Sequence, residues 1–277
     1  MDIEENDSYR EWPIGNYTLG QLQDRLFKIL VEFDRICRKY NIRYILDSGT
    51  MLGAIRHNGF IPWDDDCDVG MLRSDYNKFM RALKKEQTPY VFESLENNKK
   101  YPYGFGKFKD PGTLYPEPGF EKVTKYNSLW LDIFPFDKTF RWSYKLQGRI
   151  GWVWQHVRWE RSGISSPEKR RWYVKFLAKI TPFWLINLQQ NVAMRMFNWL
   201  PLPLVCKNCH PGKNKIPLSS SFYKDTIEHK FENGLFFVPR EYDEWLRKRY
   251  SLYYLTFPPV NDRHPTHGGR TLTNIKL

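Results

Sequence analysis

The sequence is poor in cysteine and has no long uninterrupted apolar run. Only four of the 277 residues are cysteines, and the N-terminal twelve residues, MDIEENDSYREW, are acidic and polar without the apolar centre of a secretory signal. The most apolar run, 176–188, contains Lys179 and Pro182 and is shorter than the roughly 18 residues of a spanning helix. We therefore expect neither a disulfide framework nor a membrane span, and a cytoplasmic protein that is soluble or peripheral on the inner membrane face.

Acidic residues are outnumbered, and the imbalance is local. The formal net charge is +12, and residues 141–200 alone contain eleven Lys or Arg against Glu160 and Glu168. Such a balance indicates a polyanionic partner, which could be nucleic acid, an anionic membrane surface or a phosphorylated substrate. Because 41% of the residues are hydrophobic, a packed core is expected and disorder is not.

The first half of the chain alternates between helical and strand patterns. Apolar residues at helical spacing predict a helix over 19–40, opened by a capping box of Thr18 and Gln21. Ser74 is in a position to cap a later helix over 75–85. The other predicted elements are a short helix over 51–57 and strands over 42–46, 66–71, 90–94, 105–109 and 129–134. This order predicts an α/β or α+β domain over residues 18–140, preceded by an N-terminal extension, 1–17.

Tryptophan is concentrated in the next segment. Seven of the eleven tryptophans fall in 141–205, where no strand alternation persists, so we expect two or three basic helices there. Basic and aromatic residues together suit a membrane interface, but also a helical subdomain whose tryptophans are core. Nucleic-acid binding is the third interpretation, and no nucleic-acid motif supports it. The C-terminal part, 206–277, has a predicted helix near 241–250 and a turn-rich tail.

The densest chemical signal is the run Asp64-Asp65-Asp66-Cys67-Asp68. On a strand, residues two apart share a face, so Asp64, Asp66 and Asp68 are predicted to lie together with Asp65 on the opposite side. Several carboxylates cannot all ionise at short range without a cation. Hard oxygen ligands suit Mg²⁺ or Mn²⁺ engaged with substrate phosphates. The apolar residues on both sides of the run argue against a solvated acidic turn.

A strand-to-helix turn precedes this run. Leu46-Asp47-Ser48-Gly49-Thr50 ends one predicted strand and begins a helix. Free backbone N–H groups and a hydroxyl at a helix N-terminus favour phosphate. The turn and the Asp-x-Asp pair together therefore predict a metal and phosphate site.

Residues 48–68, SGTMLGAIRHNGFIPWDDDCD, closely resemble the signature of the LicD/fukutin family. Weaker similarity is found around Lys107, at residues 131–135 and at residues 257–259. Members are similar to nucleotidyltransferase-fold enzymes, so the resemblance implies an α+β fold with a mixed sheet flanked by helices. The basic, Trp-rich helices would then be an insert, and residues 206–277 would complete the LicD-like domain.

The resemblance also implies residue roles. Asp66 and Asp68 occupy the metal-binding Asp-x-Asp positions, and Asp132 resembles the third carboxylate; these three are the expected catalytic and metal-binding residues. The expected donor-binding residues are Gly49, Thr50, Asp64, Arg56 and Lys107, the last two as cations for a pyrophosphate. Ordinary surface cations and a turn-capping Asp132 are the alternatives.

The activity implied by the resemblance is a phosphotransferase that moves a phospho-alcohol, phosphocholine first, from a CDP-alcohol donor to a glycan or lipid-linked glycan acceptor. One alternative is a nucleotidyltransferase that moves a nucleoside monophosphate onto a protein, nucleic acid or small molecule. A non-catalytic lipid- or nucleic-acid-binding protein is the other.

A minor motif is Cys206-Lys207-Asn208-Cys209-His210. It matches the c-type haem attachment string, but attachment requires export, which the N-terminus does not indicate. A structural Zn²⁺ site from Cys206, Cys209 and His210 needs a fourth ligand, and His229 is the nearest candidate. A structural role without any metal is the alternative.

Overall fold

The computed structural model describes residues 8–164, 171–208, 216–266 and 276–277. The helices are α1 Leu19–Lys39, α2 Ser48–His57, α3 Arg73–Leu83, α4 Tyr144–Arg161, α5 Trp172–Ile180, α6 Phe183–Arg195 and α7 Tyr242–Arg249, with 3₁₀ turns at Ser220–Tyr223 and Val260–Asp262. The strands are β1 Pro13–Ile14, β2 Tyr17–Thr18, β3 Ile45–Leu46, β4 Asp68–Leu72, β5 Val91–Glu93, β6 Gly106–Lys109, β7 Trp130–Lys138, β8 Leu204–Cys206, β9 Leu218–Ser219, β10 Thr226–Phe231 and β11 Gly234–Pro239. The α+β prediction is confirmed.

A mixed sheet forms the centre of the molecule. Its order is β3-β4-β7-β6-β5, in which β4 and β7 run parallel and the other neighbours antiparallel. The end of β7 continues into a second ladder with β8 and β9. Strand β7 is nearly continuously apolar and buried, as expected for a central strand that is covered on both faces.

Helix α1 packs on this sheet with the face that its sequence predicts. The Thr18 hydroxyl accepts from the backbone N–H of Gln21, and the Gln21 side chain accepts from the backbone N–H of Thr18, so the predicted capping box is present. The apolar residues of the helical pattern from Leu22 to Cys37 are fully buried in the main core. At its end Asn41 adopts a left-handed conformation that stops the helix.

Two predicted element starts are wrong. Helix α3 begins at Arg73, and its N-cap is Leu72 without a side-chain cap, so Ser74 lies inside the helix. Strand β4 begins at Asp68, which places Asp64 and Asp66 before the strand. The buried ion pair of Arg73 with Asp137 of β7, at 2.7 Å, holds the start of α3 against the sheet.

The hairpin β10–β11 was not predicted. It packs beside β3 and α2, and its rings make edge contacts with the residues next to them: Phe237 with Tyr44, which precedes β3, and Phe231 with Phe60, which follows α2. Glu232, in the left-handed turn, donates its backbone N–H to the carbonyl of Asn58, and its carboxylate accepts from the backbone N–H of Phe60. The hairpin therefore fixes the loop between α2 and the acidic run.

The described residues of 141–205 form three helices, where two or three were predicted, followed by β8. A small core of its own, formed by Val157, Val174, Ala178 and Ile186, lies apart from the main core. Asn198 donates to Asp137 at 2.5 Å, and the Trp159 indole donates to the carbonyl of Pro102 at 2.8 Å. These bonds attach the helices to the sheet. Among the helices that the structure describes, none has the length and apolarity to cross a membrane.

Candidate active site

Asp68 and Asp132 lie side by side at the starts of the two parallel strands. They are direct partners in the β4–β7 register, and the backbone N–H of Asp132 donates to the carbonyl of Cys67 at 2.9 Å. The backbone N–H of Asp68 donates to the Thr50 hydroxyl at 2.8 Å. This bond attaches the N-terminal turn of α2 directly to the first strand, so the predicted phosphate turn and the carboxylates belong to one site.

The environment of Asp68 opposes its negative charge. Burial is the main reason that the pKa of Asp68 is raised well above its ordinary value, and the neighbouring charges of Asp66 and Asp132 raise it further, against a smaller opposing effect of Lys207. Its Oδ1 atom is buried and has no hydrogen-bond partner among the described residues. A divalent cation bound by oxygen ligands would supply both the missing partner and the missing positive charge, so these residues fit one.

The three predicted ligands do not form a ready-made coordination group. Within the ranges that the structure describes, no three His, Cys, Asp or Glu side chains are arranged to hold a metal ion. The Lys107 ammonium lies 3.7 Å from Asp132 Oδ1. The assignment of Asp66, Asp68 and Asp132 as metal ligands therefore stays a prediction.

Lys107 is buried among aromatic rings beside Asp132. Lys107 pairs with Asp132 in the β6–β7 register. Its ammonium lies 3.0 Å from Glu117 and 3.6 Å from the centre of the Trp130 ring. Tyr103 also bonds to Glu117. Lys107 is thus no surface cation. It is a buried cation beside Asp132, and its role in donor binding stays a prediction.

The turn at the start of α2 is tightly packed. A Cβ on Gly49 would lie 2.7 Å from Asp64 Oδ2, so only glycine fits while that carboxylate holds its position. Ser48 has φ +49, a left-handed backbone that is rare outside glycine and frequent at functional sites. The predicted donor-binding residues Gly49, Thr50 and Asp64 are thus brought together at one helix N-terminus.

A buried lysine beneath this turn was missed by the sequence reasoning. The Lys207 ammonium lies 2.5 Å from Asp47 Oδ2, 3.1 Å from the Ser48 hydroxyl and 3.5 Å from the centre of the Phe134 ring. Burial opposes ionisation of Asp47, but Lys207 and then Arg249 outweigh it and hold the pKa of Asp47 below its ordinary value. The turn therefore lies on a buried ion pair.

Arg56 lies at the other end of α2, about 10 Å along the helix from the turn. Its guanidinium stacks 4.8 Å from the centre of the Phe257 ring and 5.9 Å from that of Trp63, and its Nε donates to His57 Nε2 at 2.9 Å. The structure therefore places Arg56 against Trp63 and Phe257, within electrostatic range of Asp64, at the opposite end of α2 from the turn.

Asp65 lies before β4, so the strand alternation that predicted its orientation opposite to Asp64 and Asp66 does not apply to it. It is buried, and its Oδ1 accepts from the backbone N–H of Thr266 at 2.9 Å. Asp65 thus holds the C-terminal segment near the acidic run. Tyr250, also missed from sequence, is partly exposed and lies within electrostatic range of Asp47, Asp68 and Asp64.

The signals for the missed residues were weak. Asp47 lies inside the recognised turn string, but a strand-end aspartate usually serves as a cap. Lys207 lies inside the Cys-Lys-Asn-Cys-His string, where the cysteines drew the interpretation. Cys206 is buried on β8, and His229 is half-buried on β10, where its ring contacts the Lys230 carbonyl and the Tyr242 ring. Cys209 and His210 lie outside the described residues, so the zinc prediction is untested.

Comparisons with known proteins agree with this geometry. The family model described as LicD/FKTN/FKRP, nucleotidyltransferase domain, matches residues 41–175, which contain every site residue above except those contributed by the C-terminal part. The chain is similar to a lipopolysaccharide cholinephosphotransferase, LicD, of Haemophilus influenzae, with 29% identity over 90% of this chain and 96% of that protein. It is also similar to uncharacterised proteins of Rickettsia typhi and Rickettsia prowazekii, at 38% and 44% identity over about a quarter of each chain. From the signature at the turn and acidic run, the family match and the near full-length similarity, we conclude that the chain belongs to the LicD family.

Proposed function

We propose that the protein transfers phosphocholine from CDP-choline to a hydroxyl of a lipopolysaccharide or related lipid-linked saccharide, with a divalent metal bound at Asp66, Asp68 and Asp132. As a member of the LicD family it is a transferase of the LicD type. The observation that carries the proposal is the pairing of Asp68 and Asp132 across parallel strands, directly beside the N-terminal turn of α2.

Each residue has a role that follows from its position. The turn at Gly49 and Thr50 offers N–H groups to the donor phosphates, and Lys107 offers a buried positive charge. Mg²⁺ or Mn²⁺, when bound, would supply further positive charge for the phosphates and the leaving group. Asp64 and Lys207 act indirectly, because they support the turn from either side.

The proposed reaction is a single displacement. The acceptor oxygen forms a bond to the phosphorus that carries choline, and the bond from that phosphorus to the bridging oxygen breaks. CMP leaves with the bridging oxygen, and Asp132 takes the proton of the acceptor hydroxyl. Positioning and electrostatics supply most of the acceleration in such reactions, so no covalent intermediate is required.

The test is to incubate the purified protein with lipopolysaccharide, Mg²⁺ or Mn²⁺ and a panel of CDP-alcohols. We expect CMP release and labelled acceptor, greatest with CDP-choline, and loss of both with a chelator or with Asp68→Asn. Asp225→Asn, an exposed aspartate outside the site, is the matched control and should be active. If the protein prefers another CDP-alcohol, that alcohol replaces choline in the proposal, and the proposed reaction is unchanged.

The same assay separates the alternatives. Pyrophosphate release from a nucleoside triphosphate without CMP release would support a nucleotidyltransferase. Absence of turnover with every donor, in a protein that is folded and binds metal, would contradict the proposed function.

A further inference from the structure

The helices α5 and α6 each expose a row of large apolar side chains. On α5 the row is Trp172, Phe176 and Ile180, and along α6 it is Trp184, Leu188, Val192 and Met196. Residues four apart lie on one face of a helix, so each row is a continuous apolar stripe. Trp172 is 78% exposed and Trp184 64% exposed, which is unusual for the largest side chain on a helix.

These rows are not part of the core. The inward faces of α5 and α6 carry Val174, Ala178 and Ile186, which pack with Val157 of α4. Both helices therefore turn their apolar rows away from α4. Trp142 and Trp199, which are 73% and 80% exposed, extend the apolar surface at the end of α6, where Phe197 contacts Trp142.

Cations follow the apolar rows at the same spacing. On α5, Arg171, Lys175 and Lys179 are exposed and each precedes one residue of the row Trp172, Phe176 and Ile180. Exposed Lys145 and Arg149 lie on either side of Leu146 on α4 in the same way. Among the described residues of 141–208, Glu160 is the only acidic residue.

We infer that the surface formed by the outward faces of α5 and α6, with Trp142 and Trp199, docks on an anionic membrane. Tryptophan is favoured at the depth of lipid headgroups, aliphatic side chains enter the acyl region, and lysine and arginine reach anionic phosphates. Nucleic acid fits less well, because bases stack on aromatic rings but gain little from rows of Leu, Ile, Val and Met. A second copy of the chain also fits less well, because the cations of one copy would lie against those of the other and repel them.

The test is sedimentation of the full chain with lipid vesicles, without donor or acceptor, so it is independent of the proposed transfer. We expect binding to vesicles of phosphatidylcholine mixed with phosphatidylglycerol, weaker binding to phosphatidylcholine alone, and weakening by salt. Trp172→Gln with Trp184→Gln should reduce the affinity about tenfold or more, because two large apolar side chains no longer enter the interface. Lys175→Gln with Lys179→Gln should reduce it by about tenfold on anionic vesicles only.

The matched control is Val31→Gln with Leu235→Gln, which removes two exposed apolar side chains on α1 and β11 and should bind as the unchanged protein does. Circular dichroism checks that each variant is folded. The inference is overturned if the protein does not bind anionic vesicles, or if the tryptophan variant binds them as tightly as the control does. It is also overturned if the variant instead dissociates a dimer in light scattering, or if an oligonucleotide but no vesicle is bound.

Discussion

At the scale of single residues, the site combines carboxylates that repel one another with lysines that are held in fixed positions. Asp68 is destabilised as an anion by burial, Asp66 and Asp132. Asp47, equally buried, is stabilised as an anion by Lys207. Substitution should therefore affect the two aspartates differently, although the backbone N–H of Asp47 donates to the carbonyl of Asp68 at 3.0 Å.

Asp68→Asn should separate stability from activity. The variant loses an unfavourable buried charge, so in metal-free buffer its free energy of unfolding should rise by about 1 kcal/mol, while turnover falls about 10²- to 10³-fold. Mg²⁺ or Mn²⁺ should raise the melting temperature of the unchanged protein and not that of the variant. Urea unfolding and calorimetry measure both effects. A variant that is stabilised by metal as strongly as the unchanged protein would remove Asp68 from the metal site.

Lys207→Met should be strongly destabilising, because it leaves Asp47 buried with much of its charge uncompensated. Breaking a buried pair from one side costs about 3–5 kcal/mol. The double variant with Asp47→Asn should recover part of this loss, which a double-mutant cycle from urea unfolding would measure. Lys224→Met, at an exposed position, is the control. Equal stability of Lys207→Met and the control would contradict the role of this ion pair.

His57 should make stability depend on pH. Burial, and then the charge of Arg56, lower the pKa of His57 to about 4. The unfolded chain binds this proton below about pH 6.5 and the folded protein only near pH 4, so stability from this residue is full above pH 6.5 and is lost as the pH falls toward 4. For a half-buried ring we expect about 1–2 kcal/mol. His57→Gln should flatten this part of a pH series of unfolding curves, and a pH dependence unchanged by the substitution would contradict this role of His57.

At the scale of elements, packing requires glycine at one helical position, Gly53, and does not require it at another, Gly151. In α2, a Cβ on Gly53 would overlap the Gly59 carbonyl and lie 3.0 Å from the Ile61 backbone nitrogen. In α4, a Cβ on Gly151 would meet only the Asn208 carbonyl at an ordinary 3.5 Å. The first glycine lets the loop before the acidic run pack on α2. The second leaves a position that alanine could fill.

Substituting each glycine by alanine tests this difference. Gly151→Ala should stabilise the protein by about 0.5–1 kcal/mol through helix propensity and a stiffer unfolded chain. Gly53→Ala should destabilise by about 2 kcal/mol or more, because backbone atoms must move. It should also reduce activity, since the loop positions Asp64 and Asp66. Thermal unfolding of the two variants measures this difference. Equal shifts of the melting temperature, with the same sign, would contradict the packing argument.

At the scale of the whole molecule, the protein has a large core around the central sheet and a small one within α4–α6. Few buried apolar groups give a region low local stability. The amides of α5 should therefore exchange with deuterium faster than those of α1.

Matched core truncations check this arrangement. Ile186→Ala, in the small core, should cost about 2–5 kcal/mol and accelerate exchange mainly in α4–α6. Leu30→Ala, in the main core, should accelerate exchange throughout the chain. Uniform acceleration by both variants would mean that the chain unfolds as one cooperative unit, contrary to the separate helical segment expected at 141–205.

The sequence by itself determined the features that depend on short, local patterns of residues. The period of apolar residues and a capping box located α1, the acidic run between apolar neighbours located Asp68, and the long signature at 48–68 gave the family. These signals are contained within a few turns of helix or one strand, so they can be read without knowing what packs against them. Asp132 was named through the resemblance to that family, as the carboxylate in a predicted apolar strand.

Only the tertiary structure decided which distant residues complete the site. Lys207 follows β8, and it lies beside Asp47 because β8 pairs with the end of β7. The hairpin β10–β11 was missed because its alternation is weak and its strands are half-exposed. Likewise, the sequence does not distinguish a helical tryptophan that faces the core from one that faces solvent. The packing of α5 and α6 on α4 decided that Trp172 and Trp184 face outward, because the inward positions were already filled by smaller apolar residues.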